Sequence, residues 1–208
     1  MSKKPPHAAA PFNVKVVHQP AWDVRQIIWS LFEGFYAYAA IRQAATVDLL
    51  QAISTDRPQR VMKLQRSDGT HHQADFDHYL KMAFANDALF QPLQHAWAVG
   101  ALMSAADALA YYRYFDRAPC LELIYHLRNG VGHGNHFTFD QRARKRLQDH
   151  PAHNRASIRG IGTHEITGSL EGDEVLDGFM NVVDVQDCFQ AATHHLEQMA
   201  RGAISSKP

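Results

Sequence analysis

The chain is poor in the groups from which disulfide scaffolds and metal centres are built. Its 208 residues hold two cysteines, Cys120 and Cys188, which are far apart and form no CxxC or related ligand spacing. Two distant cysteines in a chain this size predict reduced thiols, with one disulfide as the other arrangement. There is no Gly-rich phosphate loop, no G-x-S-x-G elbow and no dinucleotide-binding fingerprint, so the folds that depend on those turns are not indicated. Charge of neither sign is in excess: Lys+Arg and Asp+Glu both total 21. A protein that gripped long duplexes non-specifically would be more basic, so any nucleic-acid contact must come from a local patch. Long apolar runs are lacking too. The stretch from Ala96 to Ala106 is closed by Asp107 and is too short to span a bilayer. The opening Met1-Ser2-Lys3-Lys4-Pro5-Pro6 has prolines where a signal peptide needs its apolar region. These features predict a cytoplasmic protein with no membrane partner.

What is present is ordinary globular material. Hydrophobic residues make up 46% and charged residues 20% of the chain, enough to bury a core in one domain. Fourteen histidines are scattered, as His71-His72, His150/His153 and His194-His195 show, and read as surface composition. Residues 1–20 hold four prolines and form an expected flexible lead-in, with a single domain over 21–203. From Asp23, a plausible N-cap, apolar residues recur three and four apart through Val24, Ile27, Ile28, Leu31 and Phe35, and on to Ile53. Ser54–Thr70 reads as a loop with a short extended piece at Val61–Leu64. A second helix is expected near Asp75. Pro92 breaks or kinks it and suits a first helical position. The stripe then continues through Leu93, Trp97, Gly100, Ala101, Ser104, Ala108 and Tyr111, whose small residues would let another helix approach.

Pro119 opens a further helix with Cys120, Leu123, Ile124, Leu127 and Val131 inward. A small hairpin is expected around Ile158–Ile166 and Glu174–Phe179. Asp184 then caps a last helix with Val185, Phe189, Ala192, Leu196 and Met199 on its inner face. The predicted fold is mainly α: an antiparallel bundle of four to five helices, with a small irregular or β-hairpin segment before the C-terminal helix.

The run Leu127-Arg128-Asn129-Gly130-Val131-Gly132-His133-Gly134-Asn135 carries the chemistry. It sets a fixed cation, a carboxamide and an imidazole at the end of an apolar helix. A guanidinium can hold a phosphate or a developing oxyanion, and an imidazole moves protons near neutral pH. On a helix Asn129 and His133 share a face, and Arg128 joins them only if Gly130 and Gly132 loosen the backbone. Gly134-Asn135 reads as the stop.

This pattern resembles the Arg-x4–6-His signature of the HEPN superfamily, small helical proteins that include many ribonucleases. Arg128 stands at the motif arginine, Asn129 at the polar residue that commonly follows it, and His133 at the motif histidine. The wording Leu-Arg-Asn-x-x-x-His-Gly-Asn is similar to that of small bacterial, often plasmid-borne members, and Phe137 and Phe139 fit as well. The resemblance is specific over Leu121 to Phe139. It implies a metal-independent endoribonuclease without a cofactor, acting as a homodimer whose two motifs share a cleft, in a toxin or anti-phage defence setting with a possible antitoxin. In such a site Arg128, Asn129 and His133 are the catalytic residues. One variant of the motif carries a tyrosine two places after the histidine, a target of adenylylation. Here that place is Asn135, so this mode of control is not indicated. Family members also serve as non-catalytic RNA-binding or adaptor modules, which is the alternative reading.

Other residues compete less well. Arg142, Arg144, Lys145 and Arg146 form the concentrated basic run: either an RNA-binding patch feeding the cleft or a solvated helix face. His133 and His136 make an H-x-x-H pair, but no third ligand stands at a matching interval, and Asp75-x-x-His78 lacks the second half of a di-iron site. No metal site is therefore expected, and a metal-binding bundle is the remaining alternative. Glu33 lies within the apolar stretch of the first helix, near the cleft or on the surface. Tyr111, Tyr112 and Tyr114 are expected in the core or at a dimer interface.

Overall fold

The computed structural model describes residues 15–44, 61–79, 87–155 and 161–204. Helices carry the fold, as the apolar periodicity predicts: α1 (Gln19–Ala44), α2 (Asp87–Tyr111), α3 (Pro119–Gly132), α4 (Gln141–Asp149) and α5 (Val182–Ala200). Two small antiparallel pairs accompany them, β1 (Val61–Gln65) with β2 (His71–Asp75) and β3 (Ala152–His153) with β4 (Glu165–Ile166). The second pair precedes the C-terminal helix, as expected. None of the helices among the described residues is long and apolar enough to cross a membrane.

The start of α1 differs from expectation. The helix begins at Gln19, not after Asp23, and Pro20 sits in its first turn, where a missing N–H costs nothing. His18 does the capping, its Nδ1 accepting from the Ala21 N–H at 3.3 Å, while the Asp23 carboxylate accepts from the Gln19 side chain at 2.8 Å. Val17 and His18 donate backbone N–H groups to the Ala200 carbonyl at 2.7 and 3.0 Å. Val17 and His18, within the expected lead-in, are thus tied to the end of α5. The expected continuation of this helix through Val47 and Leu50 to Ile53 lies outside the described residues.

One continuous core joins the elements. α1 lies along α5, and α2 packs on α3 as well as on α1 and α5. Val24, Ile28, Leu102, Leu109, Leu123, Leu127, Phe189 and Leu196 are fully enclosed. Burying such side chains stabilises by about 1.5–3 kcal/mol each, which is the main term holding the helices together. The inner faces predicted for α3 and α5 are the observed ones.

On α2 the predicted stripe is only partly the buried one. Ala101 is enclosed, and Trp97 and Ala108 are half-buried against the core, but the centre of the buried face is Ala98, Leu102, Ala105, Ala106 and Leu109, whereas Leu93, Gly100, Ser104 and Tyr111 face outward. Alternating small and apolar residues support two phases about equally, and packing against α3 selected the one containing the leucines. Pro92 lies inside α2, one turn in, and not at a first position.

The piece expected at Val61–Leu64 is a strand, and it pairs with His71–Asp75, a segment whose sequence carries no strand alternation. Ser67-Asp68-Gly69 closes the hairpin: Gly69 adopts φ +83°, and the Asp68 carboxylate accepts from the Thr70 N–H at 2.9 Å. Phe76–Tyr79 turn helical after it, with the Asp75 side chain accepting from the His78 N–H at 3.0 Å. The expected hairpin before α5 is also rearranged. Ile166 belongs to β4, but it pairs back to Ala152, and Glu174–Phe179 is a turn rather than a strand. The last helix is capped by Asn181, with Asp184 as the reciprocal member of a capping box.

Candidate active site

α3 presents the motif. Extended Ala118 followed by Pro119 starts the helix, and Leu121, Leu123, Ile124, Leu127 and Val131 fix it in the core. The helix stays regular to Gly132, and the His133 N–H closes it on the Asn129 and Gly130 carbonyls at 3.0 and 3.2 Å. Gly134 (φ +84°) and Asn135 (φ +68°) then turn the chain away, the stop that the sequence predicts.

Two residues act differently from their sequence reading. Gly130 does not loosen the helix. It is buried, and a Cβ there would lie 2.4 Å from Val175 Cγ2, so glycine is needed for close approach. Asn135 does more than end the helix. Its side chain donates to the Leu176 carbonyl and accepts from the Leu176 N–H, both at 2.9 Å, while its own carbonyl accepts from the Val175 N–H. These bonds clamp the end of α3 to the turn at 174–180. A Gly-Asn pair signals the stop but not this distant partner.

On this stiff end the three motif side chains divide. Arg128 and Asn129 are half-buried, and the His133 ring is exposed. The Arg128 side chain is 39% exposed, and its guanidinium donates to Asn129 Oδ1 at 3.3 Å. It lies 4.0 Å from the Asp107 carboxylate on α2. The His133 ring has no hydrogen-bond partner among the described residues. At about 100° per residue Asn129 and His133 are about 40° apart around the axis, and Arg128 and His133 about 140°. The chain therefore gathers Asn129 with His133 and turns Arg128 toward α2.

The basic run lies on α4, whose N-cap Asp140 accepts from the Ala143 N–H at 2.7 Å. Arg142 is exposed, with no partner among the described residues. Arg144 donates to the Phe139 carbonyl at 3.0 Å and to Glu171 at 3.1 Å, and Lys145 pairs with Asp149 at 2.7 Å. Arg146 grips both oxygens of Glu122 and covers the Tyr125 ring at 4.3 Å. Three of the four cations thus meet carboxylates of the same chain, and the run offers less free charge than its composition suggests.

Glu122 is 1% exposed and His126 3%, and their side chains come within 3.7 Å. Burial pushes the Glu122 carboxyl up against the pull of Arg146. Burial, with Arg146 nearby, pushes His126 down to about 4. The ring is therefore neutral at pH 7, and its Nε2 has no hydrogen-bond partner among the described residues. A cavity of about 110 Å³ lined by Phe115, Pro119, Glu122 and His150 opens beside this seam. It lies at the start of α3, about 20 Å from the motif end.

The remaining candidates fall away from the motif. Cys120 and Cys188 are free and buried. Burial pushes the Cys120 thiol up to about 12 and raises Cys188 as well, so neither supplies a thiolate. Glu33 is exposed on α1. Among the described residues no three His, Cys, Asp or Glu side chains gather at metal-binding range. Compared with protein families, curated proteins and solved structures, the chain matches none.

Proposed function

We propose that this chain is a HEPN-like, metal-independent endoribonuclease, working as a homodimer in the cytoplasm in a toxin–antitoxin or anti-phage defence role. The reading rests on the motif and its resemblance, and one observation carries it furthest. A regular helix anchored in the core ends in an exposed imidazole that has no hydrogen-bond partner among the described residues, on the side of a carboxamide, with a half-exposed guanidinium turned toward α2. A stiff anchor with free reactive tips is what a preorganised site needs.

The chemistry follows from those groups. His133 accepts the proton of a ribose 2′-hydroxyl as its oxygen bonds to the adjacent phosphorus, and the P–O5′ bond breaks. The products are a 2′,3′-cyclic phosphate and a 5′-hydroxyl, which takes up a proton. Arg128 neutralises the charge growing on the phosphate oxygens, and Asn129 holds Arg128. Because Arg128 and His133 diverge within one subunit, the reading uses the histidine of one copy with the arginine of the other.

The test is cleavage of end-labelled RNA in EDTA. Wild type is expected to yield cyclic-phosphate ends, and Arg128→Ala and His133→Ala each to slow cleavage by about 10²–10⁴-fold with unchanged melting. Equal cleavage by all three proteins would remove the proposal. A second reading, a non-catalytic RNA-binding or adaptor module, is favoured by the lack, among the described residues, of a partner that sets the His133 tautomer. It predicts RNA binding without cyclic-phosphate products.

A further inference from the structure

The C-terminal end of α2 has no part in the chemistry just described, yet it adjoins Arg128 and is built in an unusual way. Asp107, 4.0 Å from the Arg128 guanidinium, lies on one face of α2 with Tyr111, four residues and one helical turn further on. Tyr111 is 80% exposed, the most exposed large hydrophobic side chain among the described residues. It is nevertheless not loose. Its ring meets Tyr112 edge-on at 4.8 Å, Tyr112 stacks on Tyr114 at 5.9 Å, and buried Tyr114 reaches His18 Nδ1 at 3.4 Å. Three rings thus brace an open aromatic surface from the core outward.

The next residue but one is the second oddity. α2 ends with the Tyr114 N–H on the Leu109 carbonyl at 2.9 Å and the Arg113 N–H on the Ala110 carbonyl at 3.1 Å. This closing pattern places a left-handed residue at the position after the cap, where glycine is usual. Here that residue is Arg113, at φ +58°. Its guanidinium is exposed and makes no ion pair or hydrogen bond among the described residues. A cation with no partner among the described residues, held in a disfavoured backbone conformation two residues after a braced, exposed ring, suits a ligand that offers both a π-face and a negative charge.

We infer that Tyr111 and Arg113 form a nucleotide subsite for single-stranded RNA, adjoining the Arg128 phosphate position: Tyr111 stacks a base, and Arg113 contacts the phosphate beside it. The strand must be single because only an unstacked base can lie on the ring. One turn of helix separates Tyr111 from the residue that touches Arg128, a span that one nucleotide covers. The subsite would choose which phosphodiester enters the cleft, and it rests on the RNA reading proposed above.

The experiment measures binding of a fluorescent single-stranded oligonucleotide carrying 2′-O-methyl groups, which cannot be cleaved, by fluorescence anisotropy at two salt concentrations. Tyr111→Ala should weaken binding by roughly 5- to 100-fold, the range for losing one base–aromatic stack, and Tyr111→Phe should restore it. Arg113→Gly should weaken binding and flatten its salt dependence while raising the melting temperature, since glycine suits φ +58°. That opposite movement separates lost contact from lost fold. Wild-type affinity in both Tyr111→Ala and Arg113→Gly overturns the subsite and leaves the RNA reading standing. If wild type binds no oligonucleotide at low salt, both fall together. If Tyr111→Ala instead lowers the sedimenting mass while RNA affinity holds, the rings belong to a protein contact and the subsite is overturned.

Discussion

At the residue scale, Gly130 shows how one hydrogen can decide what a motif glycine is for. If it served to loosen the helix, alanine there would stiffen α3 and gain up to about 1 kcal/mol from helix propensity. The structure argues the reverse, because the new methyl would lie 2.4 Å from Val175 Cγ2. Val175 is fully buried, and its backbone is held by the Asn135 carbonyl at 2.9 Å and by the Met180 N–H at 3.0 Å, so it has nowhere to move. Gly130→Ala should therefore destabilise the protein by about 1–3 kcal/mol, the usual cost of overpacking. Adding Val175→Ala should recover part of that loss. Thermal melts of the two single variants and the double variant measure this. A melting temperature for Gly130→Ala at or above wild type would restore the loosened-helix reading.

At the scale of elements, what could be read in advance was whatever each segment states locally. Pro119, the stripe Cys120–Leu123–Ile124–Leu127–Val131 and the Gly134-Asn135 stop all belong to one helix and the turn that ends it, and they hold as predicted. The phase of α2, the β1–β2 pairing and the return of Ile166 to Ala152 depend on partners elsewhere in the chain, and periodicity does not report those. The motif residues were legible. Their separation around α3 was not, because the glycines suggested a freedom that Val175 removes.

The seam between α3 and α4 belongs to the same class. Glu122 looks like an ordinary first-turn carboxylate until Arg146, 24 residues on, closes over it beside His126. That seam predicts a pH dependence whose sign can be worked out. His126 sits near 4 when folded, against an ordinary 6.5, so between those values the unfolded chain binds the extra proton. Its contribution is in place above about pH 6.5 and is lost as pH falls toward 4, on the order of 3 kcal/mol in all. The Glu122 carboxyl, raised by burial, works in the opposite sense, giving up stability as pH rises through its folded value. The difference between wild type and His126→Leu, followed by urea unfolding from pH 7.5 to 4.5, isolates the imidazole. The leucine variant should lose less stability over that range, and parallel curves would show that the ring carries no proton linkage.

At the scale of the whole molecule, the divergence of Arg128 and His133 becomes a statement about how many copies make a site. A regular α3 keeps the two side chains about 140° apart around one axis, and the clamp from Asn135 to Leu176 holds that end rigid. A site needing both groups on one phosphate then has two sources for them: a large rearrangement of one subunit, or a second subunit. The two can be told apart with proteins that are each inactive. If each cleft takes its arginine from one copy and its histidine from the other, a dimer of Arg128→Ala with His133→Ala has one complete cleft and one doubly defective cleft. Unfolding and refolding an equimolar mixture makes half the dimers mixed, each with half its sites intact, so about a quarter of wild-type cleavage should return. Recovery should rise with the mixed-dimer fraction measured by native mass spectrometry. If mixed dimers form and cleavage stays at the level of the single variants, the site lies within one subunit, and α3 must then unwind at its end for Arg128 to reach His133.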